Sequence, residues 1–212
     1  MSKIKMFSLG GLDENGKNMF VIEIDDSIYV FEAGLKYADE MTLGIDYIIP
    51  NITYLKDNKK RIKGIFLTHG HDENMGALTD IIEDLAPAII YGSKYTLDIV
   101  KEEFEEFGIK YNNFKELKAY VPFEIDNIKI FPVNLSHSTP DNFGYAIYTD
   151  DGVIFYAADF VIDPLMKGPY KTDIGKLAYI GKQNVLCLLT ESMYAGMEGF
   201  TSPKHRIDQL IR

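Results

Sequence analysis

The chain alternates between short apolar runs and polar turns, and one apolar run leads directly into a helical pattern. Ile65, Phe66 and Leu67 form a run of the kind found in buried strands. Apolar residues then recur at helical spacing over residues 77–85, which predicts an amphipathic helix. Between them lies the polar segment 68–74, with the sequence Thr-His-Gly-His-Asp-Glu-Asn. A polar loop therefore falls at a strand end, where functional sites are often built.

Strands dominate the rest of the pattern. They are predicted over residues 4–9, 19–24, 27–32, 88–91, 117–121, 128–135, 145–148, 153–157 and 184–189. Helices are predicted over 52–58 and 96–107, with Gly108 ending the second, and another is predicted to begin at Pro203. Residues 35–51 are predicted to be irregular. The pattern predicts one α/β domain over residues 1–212, or part of a larger protein, with mixed sheets inside and helices outside.

Composition and charge narrow the class of protein. The 212 residues are 46% hydrophobic, which is enough for a substantial core, and contain no apolar run of transmembrane length and no signal-peptide pattern. A formal charge of −10 argues against binding nucleic acid through overall charge, although a local basic patch or a metal could still contact phosphate. The basic cluster over 56–63 is predicted to be a solvated loop. The single cysteine, Cys187, fits a small buried residue in a reducing cytoplasm.

Two of the four histidines, His69 and His71, lie in the polar loop. In an extended segment residues i and i+2 face the same way, so both imidazoles can converge, and Gly70 allows a tight turn between them. Imidazole followed by carboxylates is ligand chemistry for zinc or manganese. Spacing alone leaves a solvated pair as an equal alternative. His137 and Asp159, which follow other predicted strands, favour a metal site.

Longer motifs carry a family resemblance. The loop 69–74 resembles the HxHxDH loop of the metallo-β-lactamase superfamily. Segments spread over nearly the whole chain resemble its ribonuclease J branch: 10–19 (GGLDENGKNM), 32–35 (EAGL), 39–41 (DEM), 43–46 (LGID), 65–71 (IFLTHGH), 136–141 (SHSTPD) and 156–160 (YAADF). The resemblance implies an αββα sandwich, a dinuclear zinc or manganese centre, and exo- and endonucleolytic hydrolysis of RNA phosphodiesters.

The resemblance also implies roles for individual residues. The ligands of the first metal would be His69, His71 and His137. Asp159 would bridge the two metals, and Glu73 and Asn74 stand where the family has an Asp and a His that bind the second metal. The Asp is also assigned a role with the nucleophilic water, so Glu73 and Asp159 are the predicted catalytic residues.

The sequence departs from the family pattern at these same positions. Glu73 is one methylene longer than Asp, and Asn74 offers a neutral carbonyl oxygen, so both are predicted to be weak ligands. Glu32 replaces an Asp that supports the site, although its position alone predicts a surface residue at a strand end. Residues 191–192 are Glu-Ser where Asp-Ser is expected. The chain ends before the family's β-CASP insertion and the returning half of the fold, which carry the remaining metal histidine and substrate-holding residues. We expect one metal, a doubtful second metal, and weak or absent nuclease activity.

Two functions follow from the resemblance. The chain is either a ribonuclease J-like RNA hydrolase or a non-catalytic paralogue subunit that partners an active ribonuclease J, and the residues weigh equally on both. A small-molecule hydrolase such as a β-lactamase or thioesterase is disfavoured by the flanking motifs. Expected partners are RNA and, because an incomplete fold exposes apolar surface, a second copy or a paralogue. No membrane association is expected.

Overall fold

The computed structural model describes residues 2–39, 42–163, 165–193, 195–196 and 198–199. Thirteen strands occur in this part of the chain: β1 Ile4–Gly10, β2 Met19–Ile24, β3 Ser27–Phe31, β4 Lys36–Tyr37, β5 Tyr47–Ile48, β6 Ile62–Phe66, β7 Ile90–Gly92, β8 Phe114–Glu116, β9 Phe123–Ile125, β10 Ile128–Leu135, β11 Asn142–Thr149, β12 Gly152–Ala157 and β13 Val185–Thr190. The helices are α1 Thr53–Asp57, α2 Asp72–Met75, α3 Leu78–Leu85, α4 Lys94–Glu106 and α5 Ile174–Gly181, with 3₁₀ turns at Lys59–Arg61 and Gly168–Tyr170.

Two large sheets carry the fold. The first has the strand order β1-β2-β3-β6-β7-β8; it is antiparallel from β1 to β3 and parallel from β3 to β8. The second has the order β13-β12-β11-β10-β9 and is antiparallel except for the parallel β12–β13 pair. The short strands β4 and β5 form a separate hairpin.

Alternating side chains on the strands separate two cores. On β3, Ile28 and Val30 pack into a cluster with apolar residues of α1, α3 and α4, while Tyr29 and Phe31 pack against the second sheet. The opposite face of the second sheet carries a third cluster, in which Ile180 of α5 is buried. The layers are therefore helices, sheet, sheet and helix, which confirms the predicted αββα sandwich.

Most of the predicted elements are confirmed. The strands predicted over 19–24 and 128–135 match the bounds of β2 and β10. The helix predicted over 96–107 corresponds to α4, and Gly108, which follows it, has a left-handed backbone conformation. The strand predicted over 117–121 is wrong, because Tyr120 has φ of 66° and β8 ends at Glu116. The irregular segment 35–51 contains β4 and β5, and α5 has no predicted counterpart. The helix predicted from Pro203 lies outside the described residues.

The basic cluster over 56–63 lies at the start of β6, whereas the histidine loop lies at the end of that strand. Ion pairs join Lys56 to Asp84 and Lys63 to Asp126, and Lys59 and Lys60 are exposed. At the edge of the second sheet, β13 pairs with β12 and exposes Val185, Leu186 and Leu188, while Cys187 on the same strand is half-buried. None of the described helices combines the length and apolar character needed to cross a membrane.

Candidate metal centre

The backbone of residues 32–35 fixes the histidine loop. The N–H of Ala33 donates to the carbonyl of Asn74 at 2.7 Å, and the N–H of Leu35 donates to the carbonyl of Asp72 at 2.9 Å. Between these two bonds, a Cβ on Gly34 would lie 1.6 Å from the carbonyl oxygen of Glu73. Gly34 therefore allows a backbone contact that no other residue permits, and this contact holds α2 and the preceding loop against the end of β3.

Gly70 has a different role from the predicted one. Its φ does not lie in the left-handed region, so the turn does not depend on glycine. A Cβ at Gly70 would instead lie 2.6 Å from Cδ1 of Ile99 on α4. The missing side chain therefore leaves room for the end of the Ile99 side chain beside the histidine loop.

Three histidine nitrogens converge at the ends of β6 and β10. The His71 Nδ1 atom lies 3.1 Å from His69 Nε2 and 3.3 Å from His137 Nε2. Nitrogen ligands about 2.0–2.1 Å from a tetrahedral metal ion are about 3.3–3.4 Å apart, so this spacing matches the ligand set of one divalent cation. Among the described residues, this trio is the group of His, Cys, Asp or Glu side chains close enough to hold a metal together.

Hydroxyl groups orient two of these rings from behind. The Thr68 hydroxyl lies 2.8 Å from His69 Nδ1, and the Ser138 hydroxyl lies 3.3 Å from His71 Nε2. When the ring N–H donates to these hydroxyl oxygens, the lone pairs of His69 Nε2 and His71 Nδ1 face the shared centre. Neither hydroxyl was assigned a role from the sequence, although Thr68 directly precedes the first histidine.

Burial favours the uncharged form of His69 and His137. His69 is fully buried, and burial lowers its pKa to about 2, with a smaller contribution from the nearby His137 and His71 rings. Burial is also the largest cause of the lowered pKa of His137. Neutral imidazoles expose the lone pairs that metal ions bind, so these residues fit a divalent cation.

Two carboxylates border the trio. Asp159 follows β12, and its Oδ2 atom lies 3.8 Å from His69 Nε2, while its backbone carbonyl accepts a 2.8 Å hydrogen bond from Asn142 Nδ2. Glu73 is half-buried and lines a cleft of about 720 Å³ together with His71, His137 and Asp159. The glycine-rich segment 11–16 and residues 188–193 form the other walls of this cleft.

The Asn74 carboxamide is fully buried beside the trio. Its Oδ1 accepts a 2.7 Å hydrogen bond from Asn18 Nδ2, and its Nδ2 lies 3.3 Å from His69 Nδ1 and 3.5 Å from Asp159 Oδ2. The oxygen that the sequence assigns as a weak ligand is therefore already used by Asn18. The sequence indicates no role for Asn18 beyond the 10–19 motif, because a contact with a residue 56 positions away has no local signal.

Glu32 is buried and not at the surface, so the prediction from its position alone is wrong. The side chain is fully buried, Oε2 accepts a 3.3 Å hydrogen bond from the Thr68 N–H, and Oε1 has no partner among the described residues. Burial raises the pKa of Glu32 well above its usual value. Through Thr68, Glu32 contacts the residue that orients His69.

The uncharged state of His69 predicts a pH effect on stability. Because its pKa is about 2 in the folded metal-free chain and 6.5 in its ordinary state, unfolding takes up a proton between these values. Stability from this residue is therefore complete above pH 6.5 and is lost as the pH falls. We expect the free energy of unfolding of the wild type minus that of His69→Gln to fall by about 2 kcal/mol between about pH 7 and pH 5. Denaturant unfolding of metal-free protein measures this difference, and a constant difference would contradict it.

Comparisons with known proteins agree with this geometry. A family model described as Beta-lactamase superfamily domain matches residues 44–173. The chain is 37% identical over 210 residues to ribonuclease J 2 of Staphylococcus aureus strain MRSA252, which covers 97% of the chain and 37% of that protein. The same figures hold for ribonuclease J 2 of Staphylococcus epidermidis. The chain thus spans little more than a third of the length of these relatives.

Solved structures show the same fold at low sequence identity. A B3 metallo-β-lactamase with an active-site glutamic acid aligns with a TM-score of 0.57 and 15% identity, covering 97% of this chain and 85% of that one. The metallo-β-lactamase fold protein YhfI from Bacillus subtilis aligns with a TM-score of 0.53 and 13% identity over 76% of this chain and 64% of its own. At these identities the likeness concerns the fold alone.

Proposed function

The chain belongs to the metallo-β-lactamase superfamily, and from this membership and its similarity to ribonuclease J 2 we propose that it is a metal-dependent hydrolase of RNA phosphodiester bonds. The main observation behind the proposal is the convergence of three histidine nitrogens beside two carboxylates, with His71 and His137 lining an open cleft. We propose exo- and endonucleolytic cleavage in the cytoplasm, at a low rate for this chain. The relatives named ribonuclease J 2 are much longer than this chain, so we propose the activity for the chain from its own site.

The histidines and the carboxylates of the site have different proposed roles. His69 Nε2, His71 Nδ1 and His137 Nε2 would hold one zinc or manganese ion. When bound, the cation lowers the pKa of water and stabilises negative charge that develops on a phosphate. The Glu73 and Asp159 carboxylates border the same cleft, where either can accept the proton of the attacking water.

The charge of the cleft explains why an anionic substrate needs the cation. Its walls carry the carboxylates of Asp13, Glu14, Glu73, Asp159 and Glu191. The nearby ammonium groups of Lys17 and Lys36 both pair with Glu14, at 3.2 Å. Without a bound cation, these acidic walls repel the phosphates of RNA.

A specific observation favours a second candidate function. Asn74 stands where the family motif has a histidine, and its side-chain oxygen is engaged by Asn18, so neither an imidazole nor this oxygen is available beside Asp159 and Glu73. This supports a non-catalytic subunit that partners an active ribonuclease J paralogue or a second copy of the chain. The exposed apolar residues Val185, Leu186 and Leu188 on β13 offer surface for such a partner.

A cleavage assay tests the proposed function. We expect the purified protein to cleave a 5′-labelled RNA slowly after re-equilibration with zinc or manganese, and to lose both this activity and its bound metal on His71→Ala, because one of three ligands is removed. His205→Ala, a change of the histidine outside the trio, is the matched control and should keep both. Bound metal without cleavage, together with a stable complex with an active ribonuclease J, would favour the subunit. Absence of bound metal would contradict the proposal.

A further inference from the structure

The buried amide pair Asn18 and Asn74 controls what faces Asp159. Asn18 Nδ2 donates to Asn74 Oδ1 at 2.7 Å, so the Asn74 NH₂ group points toward Asp159 Oδ2, 3.5 Å away. The same NH₂ group lies 3.3 Å from His69 Nδ1, but the N–H at that atom donates to Thr68 in the metal-binding tautomer, so this contact does not favour the orientation. The reverse orientation of the Asn74 amide would place NH₂ against NH₂ at Asn18 and a carbonyl oxygen against the Asp159 carboxylate. The first repulsion disappears if the Asn18 amide turns as well, but the second remains, so the Asp159 carboxylate selects this orientation of the pair.

The backbone holds Asn18 in place. Its N–H donates to the carbonyl of Glu73 at 3.0 Å, and its carbonyl accepts from the N–H of Gly34 at 2.9 Å. Asn18 is thus bound to the loop that carries Asn74 through both its main chain and its side chain. The main-chain bonds keep the Asn18 side chain within hydrogen-bonding distance of Asn74.

We propose that Asn18 holds the Asn74 carboxamide so that a hydrogen-bond donor, in place of a metal ligand, faces Asp159, and that the centre therefore binds a single metal ion. The inference rests on the proposed metal site formed by the three histidines. A cation beside Asp159 on the Asn74 side would meet two N–H hydrogens that carry partial positive charge. The amide itself satisfies the carboxylate at that place, so the weak ligand role assigned to Asn74 is replaced by a donor role.

Exchanging the donor of Asn18 for an acceptor tests this inference. In Asn18→Asp the new carboxylate accepts a hydrogen bond, so the Asn74 amide turns its NH₂ group toward position 18 and its oxygen toward Asp159. We expect isothermal titration with manganese or zinc to show one site in the wild type. In Asn18→Asp we expect a second site at least about 10-fold tighter than any second binding in the wild type. The affinity of the first site should change little.

The double variant Asn18→Asp, Asn74→Ala separates two explanations of a second site. If the turned Asn74 oxygen is the ligand, the second site is lost in the double variant. If the new carboxylate binds the metal directly, the second site persists and the inference is overturned. Two metals bound by the wild type would also overturn it while leaving the proposed function intact.

A measurement without metal keeps the inference independent of the proposed function. In NMR spectra of the metal-free protein, the Asn74 side-chain amide protons should show nuclear Overhauser contacts to Asp159 in the wild type and should lose them in Asn18→Asp. Unchanged contacts would overturn the inference. Absence of metal binding with the expected contacts would instead refute the proposed function and leave the amide arrangement supported.

Discussion

Replacing Gly34 with alanine is expected to lower the free energy of unfolding by at least about 3 kcal/mol. The added Cβ would lie 1.6 Å from the carbonyl oxygen of Glu73 and 2.8 Å from the backbone nitrogen of Asn18. Both neighbours are main-chain atoms, so no side-chain rotation relieves the overlap. The end of β3 must therefore move away from α2 and the histidine loop. This movement breaks the hydrogen bonds from Ala33 to Asn74 and from Leu35 to Asp72.

Denaturant unfolding followed by circular dichroism measures this effect, and Gly181→Ala is the matched control. Gly181 is the last residue of α5, and nothing lies within 4 Å of a Cβ built on it. We expect the control to change stability by less than about 0.5 kcal/mol or to stabilise the helix slightly. Equal stability of the two variants would show that the Gly34 contact is not essential.

The strands inside the sandwich could be predicted from sequence because their apolar patterns report burial directly. β2 and β10 are buried over most of their length, and their predicted bounds match the structure. The error at 117–121 has a physical cause: Leu117 is buried between the sheets, but Tyr120 adopts φ of 66°, which ends any strand. A core residue in a turn has the same apolar signature as one in a strand.

Elements that depend on distant packing could not be predicted. The helix α5 contains glycine at both Gly175 and Gly181, which weakens its local helical signal, and Ile180 and Leu177 hold it against the second sheet. The hairpin of β4 and β5 has two residues in each strand, which is too short for a periodic pattern. In both cases tertiary contacts decide the structure.

The same division holds at the site. His69, His71, His137 and Asp159 could be proposed because each follows a recognisable strand, and strand ends on neighbouring sheets meet at one edge. The residues that hydrogen-bond to the site, such as Asn18 and Thr68, could not be proposed from the sequence. The contact between Asn18 and Asn74 joins a loop to α2 across 56 positions, and the burial of Glu32, which directly follows β3, has no signal in the local sequence.

Replacing Thr68 with valine is expected to weaken metal binding by about 10- to 100-fold. Thr68 is fully buried, its hydroxyl lies 2.8 Å from His69 Nδ1, and its backbone N–H donates to the Glu32 carboxyl at 3.3 Å. The hydroxyl oxygen can accept the Nδ1–H of His69, which fixes the tautomer with a lone pair on Nε2. Valine has nearly the same shape as threonine but removes this acceptor, so the ring loses its preferred tautomer and orientation.

Thr68→Ser separates this positioning role from packing. Serine keeps the hydroxyl but loses the methyl group, so it should lower stability modestly and keep metal affinity within a few-fold of the wild type. Valine keeps the shape but loses the hydroxyl, so it should weaken metal binding more than it lowers stability. Competition with a chelator of known affinity measures metal binding, and circular dichroism shows that each variant is folded. If valine and serine bind metal equally well, the hydroxyl does not orient His69. If valine alone binds weakly, the buried Thr68 hydroxyl controls the affinity of the centre by orienting His69, although Thr68 is not itself one of the proposed metal ligands.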